Sequence, residues 1–350
     1  MAPGPILEFE KPFAALEEEI QGLEKVQAEQ PGDLSAEVAA LRRTLVEMIR
    51  KTYGGLTPWN LVQVSRHPQR PLARDYIDYF VSDFKELHGD RYFGDDAAMV
   101  TGFGKIGGEK IMLIAEHKGR DTKERVACHF GCPHPEGYRK ALRAMRLAEK
   151  YALPVVTLID TPGAFPGIGA EERGQAQAIA INLMEMARLR TPIVSVVIGE
   201  GGSGGALGIG VGDRMGILQY AYYSVISPEG CAAILWKTAK LAEAAAASLR
   251  LTPQHLLELG IVDEIIPEPL GGAHRNPRDM ATTLERKLVG FVRQAKRMPL
   301  EKLLARRYER IRSVGKVVSD PAALVALNAA AAAEKAEAAP ANGNLPLDAN

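Results

Sequence analysis

Two stretches decide the fold: Pro154-Val-Val-Thr-Leu-Ile-Asp160 with its turn Thr161-Pro-Gly-Ala-Phe-Pro-Gly-Ile-Gly169, and Pro192-Ile-Val-Ser-Val-Val-Ile198 with its turn Gly199-Glu-Gly-Gly-Ser-Gly-Gly205. Each opens on a short, unbroken apolar run rich in β-branched residues, which predicts a strand buried on both faces. A helical pattern follows each turn, reaching about Leu189 in the first unit and opening at Ala206 in the second. Tandem strand–turn–helix units imply parallel strands joined by right-handed crossovers, hence an α/β fold.

Upstream, Ala98-Met99-Val100-Thr101 and Ile111-Met112-Leu113-Ile114-Ala115 flank Gly107-Gly108, the signature of a two-residue hairpin. A helix is expected from Pro135 to Tyr151. A further helical pattern runs through Tyr76, Ile77, Phe80, Phe84 and Leu87. At the N-terminus, Phe13, Leu16, Ile20 and Leu23, then Val38, Leu41, Leu45, Met48 and Ile49, predict two amphipathic helices, the second ending at Gly54-Gly55. Their apolar stripes suit either packing on the body or a partner surface. Downstream, Tyr222–Ile226 and Ile261–Ile266 read as short strands, helices open at Pro228 and Thr252-Pro253, and helical pattern dominates from Pro277 to Ser313. The alanine-rich end, Ala322 to Asn350, reads as a disordered tail. The expected divisions are a helical hairpin over 1–56, the main domain over 57–296, a C-terminal helix over 297–320 and the tail over 321–350.

Composition narrows the function. With 43 Lys and Arg against 43 Asp and Glu, the chain lacks the broad positive field that nucleic acid rewards. Three cysteines cannot build a disulfide framework, which suits a reducing compartment. Met1–Lys11 has no signal-peptide pattern, and no uncharged stretch reaches the length of a membrane span. A cytoplasmic location is expected, with neither membrane nor nucleic acid as partner.

The second glycine turn admits three readings. Gly199, Gly201 and Gly204 match the dinucleotide fingerprint G-x-G-x-x-G, but Leu218-Gln219-Tyr220 holds no carboxylate at the required distance. A second match, Gly102, Gly104 and Gly107, falls inside the hairpin, and no Walker lysine is present. Gly201-Gly202-Ser203-Gly204-Gly205 also satisfies the nucleophile elbow G-x-S-x-G, with Asp263 and His274 in the right order for a triad. In the third reading the backbone N–H groups of Gly204, Gly205 and Ala206 open a helix and form an oxyanion hole, each donor worth about 3–4 kcal/mol of barrier. Two such turns on adjacent strands meet at the sheet edge where α/β folds place ligands.

These motifs carry a resemblance. Asp160-Thr-Pro-Gly-Ala-Phe-Pro-Gly167, Gly169-Ala-Glu-Glu-Arg-Gly174, Gly199-Glu-Gly-Gly-Ser-Gly-Gly-Ala-Leu207, Tyr223-Ser-Val-Ile-Ser-Pro-Glu-Gly-Cys231 and Ile266-Pro-Glu-Pro-Leu-Gly-Gly-Ala-His-Arg-Asn276 resemble the carboxyltransferase α subunit of multi-subunit bacterial acetyl-CoA carboxylase. His67-Pro-Gln-Arg-Pro71 and Pro135-Glu-Gly-Tyr-Arg-Lys140 match as well. The resemblance spans about residues 5 to 315.

It implies a crotonase-like spiral of ββα units preceded by N-terminal helices. It also implies transfer of the carboxyl group from carboxybiotin, held on a separate biotin carboxyl carrier protein, to acetyl-CoA, forming malonyl-CoA for fatty acid biosynthesis. The implied partners are a β subunit bearing a zinc ribbon and the second oxyanion hole, the carrier, and biotin carboxylase, with the transferase an α2β2 assembly. By position, the Gly205 and Ala206 N–H groups, with Gly204 beside them, would face the biotin ureido oxygen. Gly163, Ala164, Phe165, Gly202 and Ser203 would line its cavity. Neither glycine turn supplies a histidine base, so the biotin nitrogen would take the proton from acetyl-CoA, and Glu200 would orient its turn.

No metal is expected on this chain. Cys128-His129-Phe-Gly-Cys132-Pro-His134 lacks the paired C-x-x-C knuckles of a structural zinc site. Lys118, Arg120, Lys123 and Arg125, with Arg139, Arg143 and Arg146 on the next helix, make a basic group suited to CoA phosphates or an acidic carrier, or simply a solvated face.

Overall fold

A computed structural model describes residues 6–29 and 34–315. The tail expected over 321–350 lies outside the described residues.

Helices α1 (Lys11–Glu29) and α2 (Ser35–Gly54) pack against each other, and α2 stops at Gly55. Their buried residues Phe13, Ile49 and Tyr53 close on Val64 and Tyr220 of the body, so that face of the pair is spent on packing. Helix α3 (Pro58–Ser65) was not apparent from periodicity. Its signals are local: Pro58 in the first turn, and Thr57 accepting the Asn60 N–H at the cap.

Helix α4 (Ala73–Phe80) is shorter than its apolar spacing predicts. Val81–Glu86 is instead a strand, β1, paired antiparallel with β2 (Met99–Ile106), so Phe84 leaves the helical pattern. The Phe84 ring explains why position 102 is glycine: a Cβ there would lie 2.6 Å from it. The second match to the dinucleotide pattern is thus a packing requirement. Strand β3 (Glu109–Glu116) completes the expected hairpin through Gly107 and Gly108, at φ +53° and +83°.

After α5 (Thr122–Ala127) and α6 (Pro135–Lys150) come β4 (Val155–Thr161), α7 (Ile168–Glu172), α8 (Gln175–Arg188) and β5 (Ile193–Gly202). Next follow α9 (Ser203–Leu207), β6 (Arg214–Leu218), β7 (Tyr222–Ser224), α10 (Pro228–Trp236), α11 (Ala242–Ser248), α12 (Pro253–Glu258), β8 (Glu264–Ile266), α13 (Pro277–Lys296) and α14 (Leu300–Arg312). The sheet order is β1-β2-β3-β4-β5-β6-β8, antiparallel through β3 and parallel beyond it. Strand β5 is longer than the apolar run Ile193–Ile198: its first half pairs with β6, while Glu200–Gly202 turns away to pair with β7. That change of partner carries the start of the second glycine turn away from β6 while Gly201 stays paired with Thr161 of β4.

Two buried arginines lock the layers. Arg70 forks onto Glu268 at 2.6 and 2.9 Å and donates to the Ile198 carbonyl. Arg307 of α14 donates twice to Asp213 and to the carbonyls of Met186, Leu189 and Thr191. Every donor of a buried guanidinium needs such a partner.

Candidate functional site

The two glycine turns lie side by side because β4 and β5 are neighbours, with Thr161 opposite Gly201. A Cβ at Gly202 would lie 2.2 Å from the Pro162 carbonyl oxygen, and one at Gly205 would lie 2.6 Å from both Ala164 N and Gly163 C. These two glycines are therefore demanded by contact between the turns. Thr161 Oγ1 accepts the Gly163 N–H and donates to the Gly131 carbonyl at 2.6 Å, which fixes the first turn. Gly163, at φ +152°, has open space where a side chain would stand.

Between the turns is an open cleft of about 860 Å³, walled by Gly163, Ala164, Phe165, Ser203, Gly204 and Val225. Gly202, Gly205 and Ala206 are buried behind that wall. Helix α9 opens at Ser203, ahead of the expected start at Ala206. Ser203 itself is at φ +51°, so right-handed geometry begins at Gly204. The N–H groups of Gly204, Gly205 and Ala206 consequently fall in the first turn, before regular i→i−4 bonding begins, and can bind a developing negative charge.

Ser203 is exposed and left-handed, as a nucleophile elbow requires. Its triad partners, however, are elsewhere. The His274 ring stacks on His67 at 4.0 Å, and its Nε2 lies 3.7 Å from Glu10. Asp263 accepts the Met215 N–H and pairs with Arg310. Neither residue lines the cleft, so the hydrolase reading fails on geometry.

Beneath the turns lies a buried ionic cluster. Glu200 accepts from Lys118 Nζ at 2.5 Å, Arg66 Nε at 2.5 Å and the Tyr222 hydroxyl at 2.8 Å, while Lys118 also bridges to Asp160 at 2.7 Å. Burial alone would raise the Glu200 carboxyl, but the Lys118 and Arg66 charges overcome it and hold the group at about 2. Next to it Glu116, fully buried with Asp160 as a like-charged neighbour, is pushed well above the carboxylate range. Glu200 thus does more than orient its turn. It anchors Arg66 of the loop after α3 and Lys118 after β3 to the sheet edge. Arg66 and Tyr222 carried no local signal in the sequence.

The depressed Glu200 carboxyl implies a pH dependence. A group lowered in the folded state stabilises the chain above its unfolded value, and that contribution disappears as pH falls through the folded one. Between pH 4.5 and about 2 the protein should lose about 3 kcal/mol from this group. Denaturant titrations from pH 5 to pH 2 measure it, and Glu200→Gln should show a shallower acid slope.

The basic group divides. Lys118 is consumed by the buried cluster, and Arg120 pairs with Asp75 and donates to the carbonyls of Pro68 and Arg70. Arg139 pairs with Asp90, and Arg143 donates to the carbonyls of His88 and Gly89. Arg143 and Arg146 line a separate groove of about 970 Å³ with Tyr92, Phe93 and Arg173. Burial pushes the Cys128 and Cys132 thiols up to about 11, which keeps both protonated at neutral pH.

Residues 6–315 match the family described as acetyl co-enzyme A carboxylase carboxyltransferase-like. The chain is 55% identical over 312 residues to the α subunit of acetyl-coenzyme A carboxylase carboxyl transferase of Rhodopirellula baltica, covering 89% of this chain and 98% of that protein. It is 54% identical over 316 residues to the same subunit of Methylococcus capsulatus, covering 90% and 98%. Among solved structures, transcarboxylase 12S superposes with a TM-score of 0.54 at 20% identity, over 66% of this chain and 43% of that one. The β subunit of P. aeruginosa geranyl-CoA carboxylase gives 0.51 at 19% identity, over 70% and 46%. The chain spans less than half of either structure, and at such identities the likeness shows the shared α/β, crotonase-like fold.

Proposed function

Because the chain belongs to the family of acetyl-CoA carboxylase carboxyltransferase α subunits, we propose that its glycine-walled cleft receives the carboxybiotin ring presented by a biotin carboxyl carrier protein. The activity is carboxyl transfer to acetyl-CoA, giving malonyl-CoA for fatty acid biosynthesis. The observation that carries the cleft assignment is the pairing of the turns. Gly204, in the first turn of α9, lines the cleft beside the apolar wall formed by Ala164, Phe165 and Val225, and the first-turn N–H groups of Gly205 and Ala206 follow directly behind it. A biotin ureido group suits that surface, with one carbonyl oxygen to be hydrogen-bonded and a flat, weakly polar ring to be enclosed.

Bound there, carboxybiotin supplies the carboxyl group and a ring nitrogen able to take the proton lost by the acetyl methyl. This chain's part is electrostatic and positional. The N–H groups polarise the ureido oxygen, and Gly163, Ala164 and Phe165 hold the ring at the cleft wall. A carboxylate near an oxyanion site would oppose it, yet Lys118 and Arg66 neutralise Glu200 in place. The second oxyanion hole, for the acetyl-CoA enolate, falls to a β subunit, which would also carry the zinc ribbon. We place the chain in an α2β2 transferase that works with biotin carboxylase and the carrier in the cytoplasm. Among the described residues no helix is long and apolar enough to cross a membrane.

The test mixes this chain with the carboxyltransferase β subunit, biotin and malonyl-CoA, and follows decarboxylation. Turnover should need both subunits; turnover by this chain alone would overturn the shared-site reading. In the same assay Ser203→Ala should lose far less than the ~10²–10³-fold that follows removal of one oxyanion donor, since every backbone N–H survives. A loss of nucleophile size, with covalent labelling of Ser203 by a fluorophosphonate, would refute it.

A further inference from the structure

The segment Cys128-His129-Phe-Gly-Cys132-Pro-His134 closes on a carboxylate that its own spacing does not announce. Asp96 precedes β2 and is buried, its Oδ1 accepting the Ala98 N–H and its Oδ2 the His134 N–H at 2.7 Å. His129 Nδ1 stands 3.8 Å from Asp96 Oδ1, and the rings of His129 and His134 are 4.0 Å apart. One ligand atom from each of the three residues lies within 4.8 Å of the others.

Two further observations support a ligand at this cluster. The Nδ1 atoms of both His129 and His134 are buried without a hydrogen-bond partner, in a fold where buried polar atoms are normally paired. The backbone that presents His129 is also strained: His129 and Phe130 are at φ +48° and +56°, a conformation that side chains other than glycine's rarely adopt. Such strain persists where surrounding structure enforces it, and it concentrates at ligand sites. In the rival cluster of Glu10, His67 and His274 one imidazole is already engaged, since His67 Nδ1 accepts the Gln69 N–H.

We propose that Asp96, His129 and His134 bind one zinc-class divalent cation. Two imidazoles and a carboxylate favour Zn²⁺ and its neighbours over Mg²⁺ or Ca²⁺, which prefer all-oxygen shells. Metal–ligand bonds of about 2.0–2.2 Å call for modest ring rotations to bring the three atoms together. The cysteines are not among the three clustered ligands: Cys128 Sγ points to the Ala97 carbonyl.

The ion would be a clip. It would join the 128–134 segment to the start of β2, and it would steady the cleft through Phe165, whose ring stacks on His134 at 4.2 Å and whose N–H donates to Pro133. The expectation of no metal rests on cysteine spacing and on the zinc ribbon of the implied β subunit, and neither ground brings in Asp96.

The test strips the full chain with chelator and titrates it with Co²⁺, followed by displacement with Zn²⁺. One equivalent should bind, with a visible spectrum of nitrogen and oxygen ligation. Binding should weaken by more than the ~10–100-fold typical of outer-shell changes in His129→Ala and in His134→Gln. His274→Ala should bind as the parent does. Zn²⁺ should raise the melting temperature of the parent and leave both ligand variants unmoved, which separates lost ligation from lost folding. No saturable binding, equal binding by the His129 and His134 variants, loss on His274→Ala, or a thiolate-to-cobalt band abolished by Cys132→Ser would each overturn the proposal.

Discussion

Gly205→Val should cut carboxyl transfer by at least ~10²–10³-fold in the reconstituted enzyme, the scale of losing one oxyanion donor. The Cβ would stand 2.6 Å from the backbone of Gly163 and Ala164, so the two turns must separate and the first-turn N–H groups must move with them. Overpacking of this kind also costs about 1–3 kcal/mol of stability. Size-exclusion of the variant mixed with the β subunit must therefore accompany the rate. Gly204→Ala is the useful contrast, because its nearest neighbour is Ile179 Cδ1 at 3.7 Å and the fold should accept it. A Gly205→Val chain that assembles and transfers carboxyl groups at the parental rate would mean that these turns only pack, and that the reaction occurs elsewhere.

Lys118→Met should be the most destabilising change near the cleft. It withdraws the cation shared by Asp160 and Glu200, leaving Asp160 without its ion pair in a buried setting. Breaking a buried pair in this way costs about 3–5 kcal/mol. In a chain of this size that corresponds to a fall in melting temperature of roughly 4–7 °C. The deficit should shrink as pH is lowered toward 5, because carboxyls deprived of their cation take up protons more readily in the folded state. A variant that melts within a degree or two of the parent would refute the stabilising role given to the Lys118–Asp160 pair.

The central strands and their glycine turns were legible because buried parallel strands write themselves as continuous apolar runs, and glycine marks where backbones touch. Phe84 continues a helical spacing, yet it belongs to β1 because pairing with β2 outweighs local periodicity. Strand β5 runs four residues past its apolar stretch, since Glu200–Gly202 is held by β7 rather than by side-chain burial alone. At the site, the residues of the turns were readable one by one. Their support was not: Arg66 meets Glu200 across 134 positions of sequence. The histidines of the 128–134 segment were equally visible, while Asp96 enters only once β2 and α6 are docked.

The Arg70–Glu268 fork has a consequence for synthesis. Its partners are separated by 198 residues, so Arg70 leaves the ribosome on the order of ten to forty seconds before its carboxylate, at ordinary elongation rates. For the last third of that interval β4 and β5 are both available, but sealing the layer over Arg70 would trap an uncompensated guanidinium. The nascent half is better kept ajar until Glu268 emerges. Translation order thus reserves the last closure of the body for a nearly complete chain, and a ribosome stalled before Glu268 would hold a sheet with one side still wet.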